Sequence, residues 1–324
     1  MNFNSSWFFF FFFLTLGVFI SLSSNNWIVI WCGLEVGLIS FIPLMLNKNY
    51  ISSECVIKYF IIQSISSSLF MLSILFMLMN FNFNYEFILN VSLMMKMGVA
   101  PFHNWVLNVI DGLNYDSVFL LLTFIKIPPL FILSYLSLYM TFFILFTLFF
   151  GSVLGLNQNS SRKIIGYSSI FNMGFILSCI NFNYIWFFYI TFYSLLLYML
   201  IYFLWSMNFI YLNQMILNDY SPYFKFILFM ILMSMGGVPP LLGFIIKLTV
   251  LEILLLFNFN FFCFIMIMFS LLVMFFYFRL TFLSVMIYSF MLKNNIYLIS
   301  FNFMIFLMIN LIFFPIFLYF KIFI

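Results

Sequence analysis

The chain has 324 residues, 67% hydrophobic and 6% charged, with a net charge of +4. A soluble domain carries about 25% charged residues, so a soluble fold is excluded, and the small, scattered positive charge argues against nucleic acid as a partner. The apolar runs are continuous rather than alternating, which argues against a transmembrane barrel and predicts an all-α polytopic membrane protein, a single membrane domain over residues 1–324.

A spanning helix needs roughly 20 mainly apolar residues. Apolar runs set against polar punctuation predict about eleven spans, near 6–23, 25–46, 54–80, 87–109, 113–137, 139–157, 162–180, 184–211, 223–257, 260–289 and 295–322. Met1 to Ser6 holds no basic n-region and Phe8 to Phe13 is followed by no small-residue cleavage site, so the first span is expected to be a mature span rather than a leader. The ninth is too long for one straight crossing and contains Gly236-Gly237-Val238-Pro239-Pro240, which predicts one broken helix.

Charges alternate with the connections. Lys48, Arg162 with Lys163, Lys225, and Lys293 follow the second, sixth, eighth and tenth spans, whereas the odd connections carry no Lys or Arg. The positive-inside rule then puts the N-terminus and the even connections on the inner side. Ala100 is the only alanine against 55 Phe and 23 Met, a codon bias that suggests an AT-rich organellar genome and makes matrix the inner side. Ser and Gly must then replace alanine at close helix contacts.

Lys96, Lys126 and Lys247 stand where almost nothing else is polar. An ionised lysine at the centre of a bilayer helix costs roughly 2.5–3.5 kcal/mol on insertion scales. Such residues are usually buried between helices and tied to moving ions. Lys96 to His103 holds Gly98 and Pro101, and Gly236 to Lys247 holds the Gly-Gly-Val-Pro-Pro break. Glycine–proline breaks at corresponding places in two halves point to an inverted-repeat transporter. The expected halves are roughly 1–137 and 139–289, with a C-terminal helix at 295–322 and broken helices near 96–103 and 236–247. Lys126 precedes a further proline pair, Pro128-Pro129.

Glu35 is the one acid at comparable depth. Burial disfavours the charged form of both a carboxylate and an amine, so a facing Glu35–Lys96 pair can exchange a proton; a static ion pair is the alternative. Glu54 and Lys58 have i, i+4 spacing at a span start, and Glu252 and Arg279 are deep enough to line an interior or meet a partner. His103 is the only histidine, which excludes bis-histidine haem ligation within the chain. Cys32, Cys55, Cys179 and Cys263 are too scattered for a cluster or zinc site. No phosphate loop, dinucleotide motif or activated nucleophile is visible.

The motifs resemble a known family. Trp31-Cys32-Gly33-Leu34-Glu35, Ser40 to Leu44, Glu54 through Phe60, Lys96 to His103, Lys126 to Leu130, Gly155 to Gln158 with Arg162-Lys163, Tyr167 to Ile170, and Gly236 to Phe244 with Lys247 occur in the same order. They are similar to the subunit 2 family of mitochondrial NADH dehydrogenase (respiratory complex I), an antiporter-like family, in its short bilaterian form.

That resemblance implies a core membrane-arm subunit translocating protons across the mitochondrial inner membrane, coupled to quinone reduction elsewhere in the complex. The proton-transfer residues carry over to Glu35, Lys96, Lys126 and Lys247. It implies no cofactor or metal in this chain, with FMN, Fe–S clusters and ubiquinone in other subunits. Its implied partners are neighbouring antiporter-like and small membrane-arm subunits and inner-membrane lipids. The family usually has a histidine where this chain has Asn172, which cannot titrate. A free-standing cation/proton antiporter, or a structural scaffold subunit, would use the same residues differently.

Overall fold

In the computed structural model, residues 5–47, 50–79, 85–136, 140–182, 185–207 and 222–288 are described, with single positions between 208 and 221 and beyond 307. The expected span at 295–322 lies outside the described residues apart from four single positions. Helix dominates, and the described residues contain no strand beyond one isolated antiparallel bridge, Ser160 with Tyr211. The chain forms two compact units, Met1–Thr147 and Leu148–Ile324.

The first unit contains α1 (Ser5–Ser23), α2 (Trp27–Met45), α3 (Tyr50–Leu78), α4 (Tyr85–Met97), α5 (Asn104–Gly112), α6 (Tyr115–Leu122) and α7 (Ile127–Ser134), with a 3₁₀ turn at Phe124–Lys126. Asn26 caps α2, its side chain accepting from the Ile28 amide at 3.2 Å. The helices α1 and α2 approach almost backbone to backbone. A Cβ placed on Gly17 would lie 2.8 Å from the Gly37 amide nitrogen, and one on Gly33 would lie 2.8 Å from that of Ser21. Small residues permit such approach in a membrane, where packing rather than hydrophobic drive joins helices.

On α3 the buried positions include Ser52, Tyr59, Gln63, Ser66, Ser67 and Ser73, with the spacing of one helix face. Ser66 and Ser73 donate to the carbonyls of Gln63 and Phe70 on their own helix. A serine satisfied in this way fills the small-residue role that alanine has in other membrane helices. The Glu54–Lys58 ion pair forms as the spacing predicts, on an exposed part of α3.

The second unit contains the end of α8 (Thr141–Val153), a 3₁₀ turn at Leu154–Asn157, α9 (Ser161–Ser178), α10 (Ile185–Met207), α11 (Pro222–Gly236), α12 (Leu242–Leu256) and α13 (Asn260–Tyr288). Every residue of α9 from Ile164 to Ser178 is buried, so this helix is central to its unit. A Cβ on Gly151 would lie 2.7 Å from the Phe171 amide nitrogen, which fixes a close crossing of α8 and α9.

Six segments are long and apolar enough to cross a membrane among the described residues: Ser5–Ser23, Trp27–Met45, Tyr50–Leu78, Tyr115–Ser134, Ile185–Met207 and Asn260–Arg279. Their outward faces carry large apolar side chains such as Phe8, Phe12, Phe19, Phe261 and Phe275. This is a multi-pass membrane protein. The spans expected at 87–109 and 223–257 are each two helices, because the glycine–proline segments end one helix and start another.

Candidate functional site

Both breaks have the same backbone design. Gly98 and Gly237 adopt positive φ, 69° and 87°, a conformation that glycine takes without the Cβ penalty. The amide of Gly98 donates to Met95 O (3.2 Å) and that of Val99 to Met94 O (3.1 Å). The amide of Gly237 donates to Ser234 O (3.1 Å) and that of Val238 to Met233 O (3.2 Å). Each is a Schellman C-cap. The turns then close alike, Phe102 N–H to Val99 O and Leu241 N–H to Val238 O, at 2.8 and 2.9 Å.

The lysines sit differently on this shared frame. Lys96 lies in the last turn of the incoming helix α4, 4% exposed, its Nζ 5.8 Å from the Phe70 ring centre. Lys247 lies on the outgoing helix α12, 7% exposed, its Nζ 5.4 Å from the Phe171 ring centre. Its ammonium donates back to Gly236 O at 2.6 Å and Met235 O at 3.5 Å. A cation at that helix C-terminus is favoured by the macrodipole and satisfies carbonyls that the break leaves open. At the first break neutral side chains do this work: Trp105 Nε1 donates to Met95 O and Gln63 Nε2 to Lys96 O, both at 3.1 Å.

Lys126 is 3% exposed and ends the 3₁₀ turn between α6 and α7, its amide donating to Thr123 O at 3.1 Å. The interruption falls at Thr123, whose hydroxyl donates to Phe119 O at 2.7 Å. Pro128 and Pro129 do not break a helix, as their sequence position suggests. They occupy the first turn of α7, where proline removes no needed donor.

Glu35 and Lys96 do not form the facing contact that the sequence suggests. The ion pair within 4.0 Å among the described residues is Lys58–Glu54. The buried Oε1 of Glu35 has no hydrogen-bond partner among the described residues. One turn earlier, Trp31 Nε1 is buried and equally unpartnered. Ile28, Cys32 and Ile39, on the same side of α2, are exposed.

A cavity in the first unit is bordered by Leu34, Tyr59, Gln63, Lys96, Ile125 and Pro128, among others, with room for about two water molecules. It therefore touches the neighbour of Glu35, the Lys96 side chain and both flanks of Lys126. Gln63 and Tyr59 are site residues that the charge-based reading passed over. A lone amide in an apolar run was the available signal for Gln63.

In the second unit Asn172 is 5% exposed and held from both ends. Its Nδ2 donates to Ser168 O at 2.9 Å and its Oδ1 accepts from Tyr189 Oη at 2.8 Å. His103 is buried at the N-cap position of α5. Among the described residues no group of three or more His, Cys, Asp or Glu could hold a metal ion.

Residues 24–275 match the family described as NADH:quinone oxidoreductase/Mrp antiporter, TM. NADH-ubiquinone oxidoreductase chain 2 of Anopheles gambiae is 36% identical over 299 residues, 87% of this chain and 88% of that one. The protein of the same name from Locusta migratoria is 34% identical, covering 84% of this chain and 83% of that one. A chain of respiratory complex I from Thermus thermophilus shares the fold, with a TM-score of 0.78 at 19% identity over 87% of this chain and 71% of that one. By family match and by these relatives, the chain belongs to the NADH-ubiquinone oxidoreductase chain 2 family, within the NADH:quinone oxidoreductase/Mrp antiporter transmembrane proteins.

Proposed function

We propose that the chain is a membrane-arm subunit of complex I in the mitochondrial inner membrane, N-terminus on the matrix side, and that it moves protons through Glu35, Lys96, Lys126 and Lys247. The observation that carries this reading is the burial of three lysines at helix interruptions, none in an ion pair within 4.0 Å among the described residues. Such residues are costly in a membrane and serve ion or proton paths there. The paired breaks support two inverted five-helix repeats and about eleven spans in all.

A proton enters where Glu35 and Lys96 influence one another, waters in the cavity beside Gln63 and Tyr59 carry it towards Lys126, and Lys247 passes it onward. No proton passes through the amide of Asn172, which does not titrate. Redox energy arrives from other subunits, which hold FMN, Fe–S clusters and the quinone. The exposed Ile28, Cys32 and Ile39 on α2 support contact with a neighbouring membrane-arm subunit.

The test is the proton-to-electron ratio of NADH–quinone turnover in sealed membranes. Lys96→Met, Lys126→Met and Lys247→Met are each expected to lower the ratio, the turnover, or both, in assembled complex. Unchanged values for all three would end this reading and leave a scaffold. Cation/proton exchange by the purified chain alone would instead favour a free-standing antiporter.

A further inference from the structure

Trp31 and Glu35 are the two ends of the motif Trp31-Cys32-Gly33-Leu34-Glu35, of which the proton path uses only the acid. They stand four residues apart on α2, one helical turn, where Cβ atoms are about 5–6 Å apart. Each carries a buried polar atom with no hydrogen-bond partner among the described residues, Nε1 of Trp31 and Oε1 of Glu35. The two atoms are complementary: an indole nitrogen only donates, and an ionised carboxylate only accepts. Buried polar groups are paired almost without exception, so two orphans of opposite kind on neighbouring turns call for an account. Within one turn of Glu35 in either direction, Trp31 is the one strong side-chain donor that α2 offers.

Helix geometry sets Glu35 between two alternatives. Side chains on a helix lean towards its N-terminus, so the carboxylate of Glu35 lies over the turn that bears Trp31. By helical spacing, Trp31 and Glu35 stand at the edge of the packed face of α2. To one side are Leu34 and Leu38, on the wall of the cavity that Lys96 also borders. To the other are the exposed Ile28, Cys32 and Ile39. Rotation about its own side-chain bonds therefore aims the Glu35 carboxylate either back at the Trp31 N–H or past Leu34 and Leu38 into the cavity. In the structure it makes neither contact: Oε1 lacks a donor, and no Glu35–Lys96 ion pair is formed within 4.0 Å.

We propose that Trp31 is a positioning residue for Glu35: its indole N–H holds the carboxylate away from Lys96, and Glu35 alternates between that hydrogen bond and the cavity. The purpose of the device rests on the proton-transfer reading, but its geometry does not. On Trp31 the acid is withdrawn from the lysine. Turned into the cavity, it reaches Lys96 through the space there for about two water molecules.

The test is ultraviolet resonance Raman spectroscopy of the full chain in lipid nanodiscs, in which the indole N–H band moves on hydrogen bonding. The chain has six tryptophans, so subtracting the spectrum of Trp31→Phe isolates Trp31. The Trp31 band is expected to contain both a bonded and a free component. Glu35→Leu should abolish the bonded one, and Lys96→Met, which removes the competing cation, should raise it about twofold. In assembled complex, Trp31→Phe keeps the ring and should lower turnover, while Trp31→Phe with Glu35→Gln should cost no more than Glu35→Gln alone. A Trp31 N–H that is free in the parent overturns the proposal, as does one that stays bonded in Glu35→Leu. A bonded component that Lys96→Met leaves unchanged marks a static contact and overturns it equally. If Glu35→Leu does not fold, the response to Lys96→Met and the turnover comparison still decide. The band is read without turnover, so these outcomes stand apart from the proton-to-electron ratios that test the lysines.

Discussion

Lys247 Nζ donates to the carbonyl of Gly236 at 2.6 Å, eleven residues back across the interruption between α11 and α12. One side chain thus holds together the two halves of a broken helix while standing in the expected proton path. The two roles separate by substitution. Lys247→Met leaves a buried carbonyl without a donor, a loss of about 1–3 kcal/mol, and also removes the titratable group. Lys247→Arg keeps a cation at the helix end but cannot release its proton. Thermal unfolding should therefore recover with arginine, while the proton-to-electron ratio stays low. Full recovery of both would make Lys247 a cap alone.

The opposite balance is expected around Lys96. Its backbone carbonyl, not its amine, takes the donor from Gln63. Gln63→Leu should destabilise the first unit by about 1–3 kcal/mol, measured by the melting temperature in detergent. Lys96→Met keeps that bond and should melt within a few degrees of the parent while turnover falls. Equal melting for the two variants would remove Gln63 from this account.

The two glycines at positive φ should respond differently to alanine. At Gly98 a Cβ would overlap Val106 Cγ2, on top of about 1–2 kcal/mol for the left-handed backbone. Gly98→Ala should show as poor assembly on native gels. At Gly237 a Cβ would sit 3.0 Å from Lys247 Cδ and 3.2 Å from its Nζ, the flexible part of a side chain. Gly237→Ala should assemble better than Gly98→Ala yet pump poorly, because it displaces the ammonium.

Proline substitutions test where the interruption at Lys126 lies. Pro128→Ala and Pro129→Ala alter the first turn of α7, where the missing amide bonds are not needed, so stability should change by less than about 1 kcal/mol. A large loss, read from the melting temperature, would show that the prolines and not Thr123 shape the segment.

The breaks were legible because glycine and proline act locally: Gly98 with Pro101 and Gly237 with Pro240 announce interrupted helices wherever the chain places them. Burial of Lys96, Lys126 and Lys247 was legible too, since an apolar neighbourhood in sequence is an apolar neighbourhood in space. What each lysine touches was not. Lys96 and Lys247 hold unequal places on equal frames, and only the fold reveals that Lys247 reaches Gly236 while Lys96 leaves its turn to Trp105 and Gln63. The Glu35–Lys96 contact failed for the same reason. Charge and depth say which groups are costly, whereas the placement of each side chain on its helix decides what it meets, and the buried Oε1 of Glu35 finds no hydrogen-bond partner among the described residues.

The pairing of α1 and α2 through Gly17 and Gly33 has a mechanical consequence. Gly33 stands two residues before Glu35, and its backbone is seated against Gly17 O and Ser21 N with no slack for even a methyl group. Glu35 therefore cannot travel by a slide or twist of α2 alone; α1 has to go with it as one stiff lever. A methyl group at Gly17 or Gly33 should jam that lever, whereas one at Gly37, whose Cβ position faces open space, should leave it free. Turnover of Gly33→Ala against Gly37→Ala measures the difference.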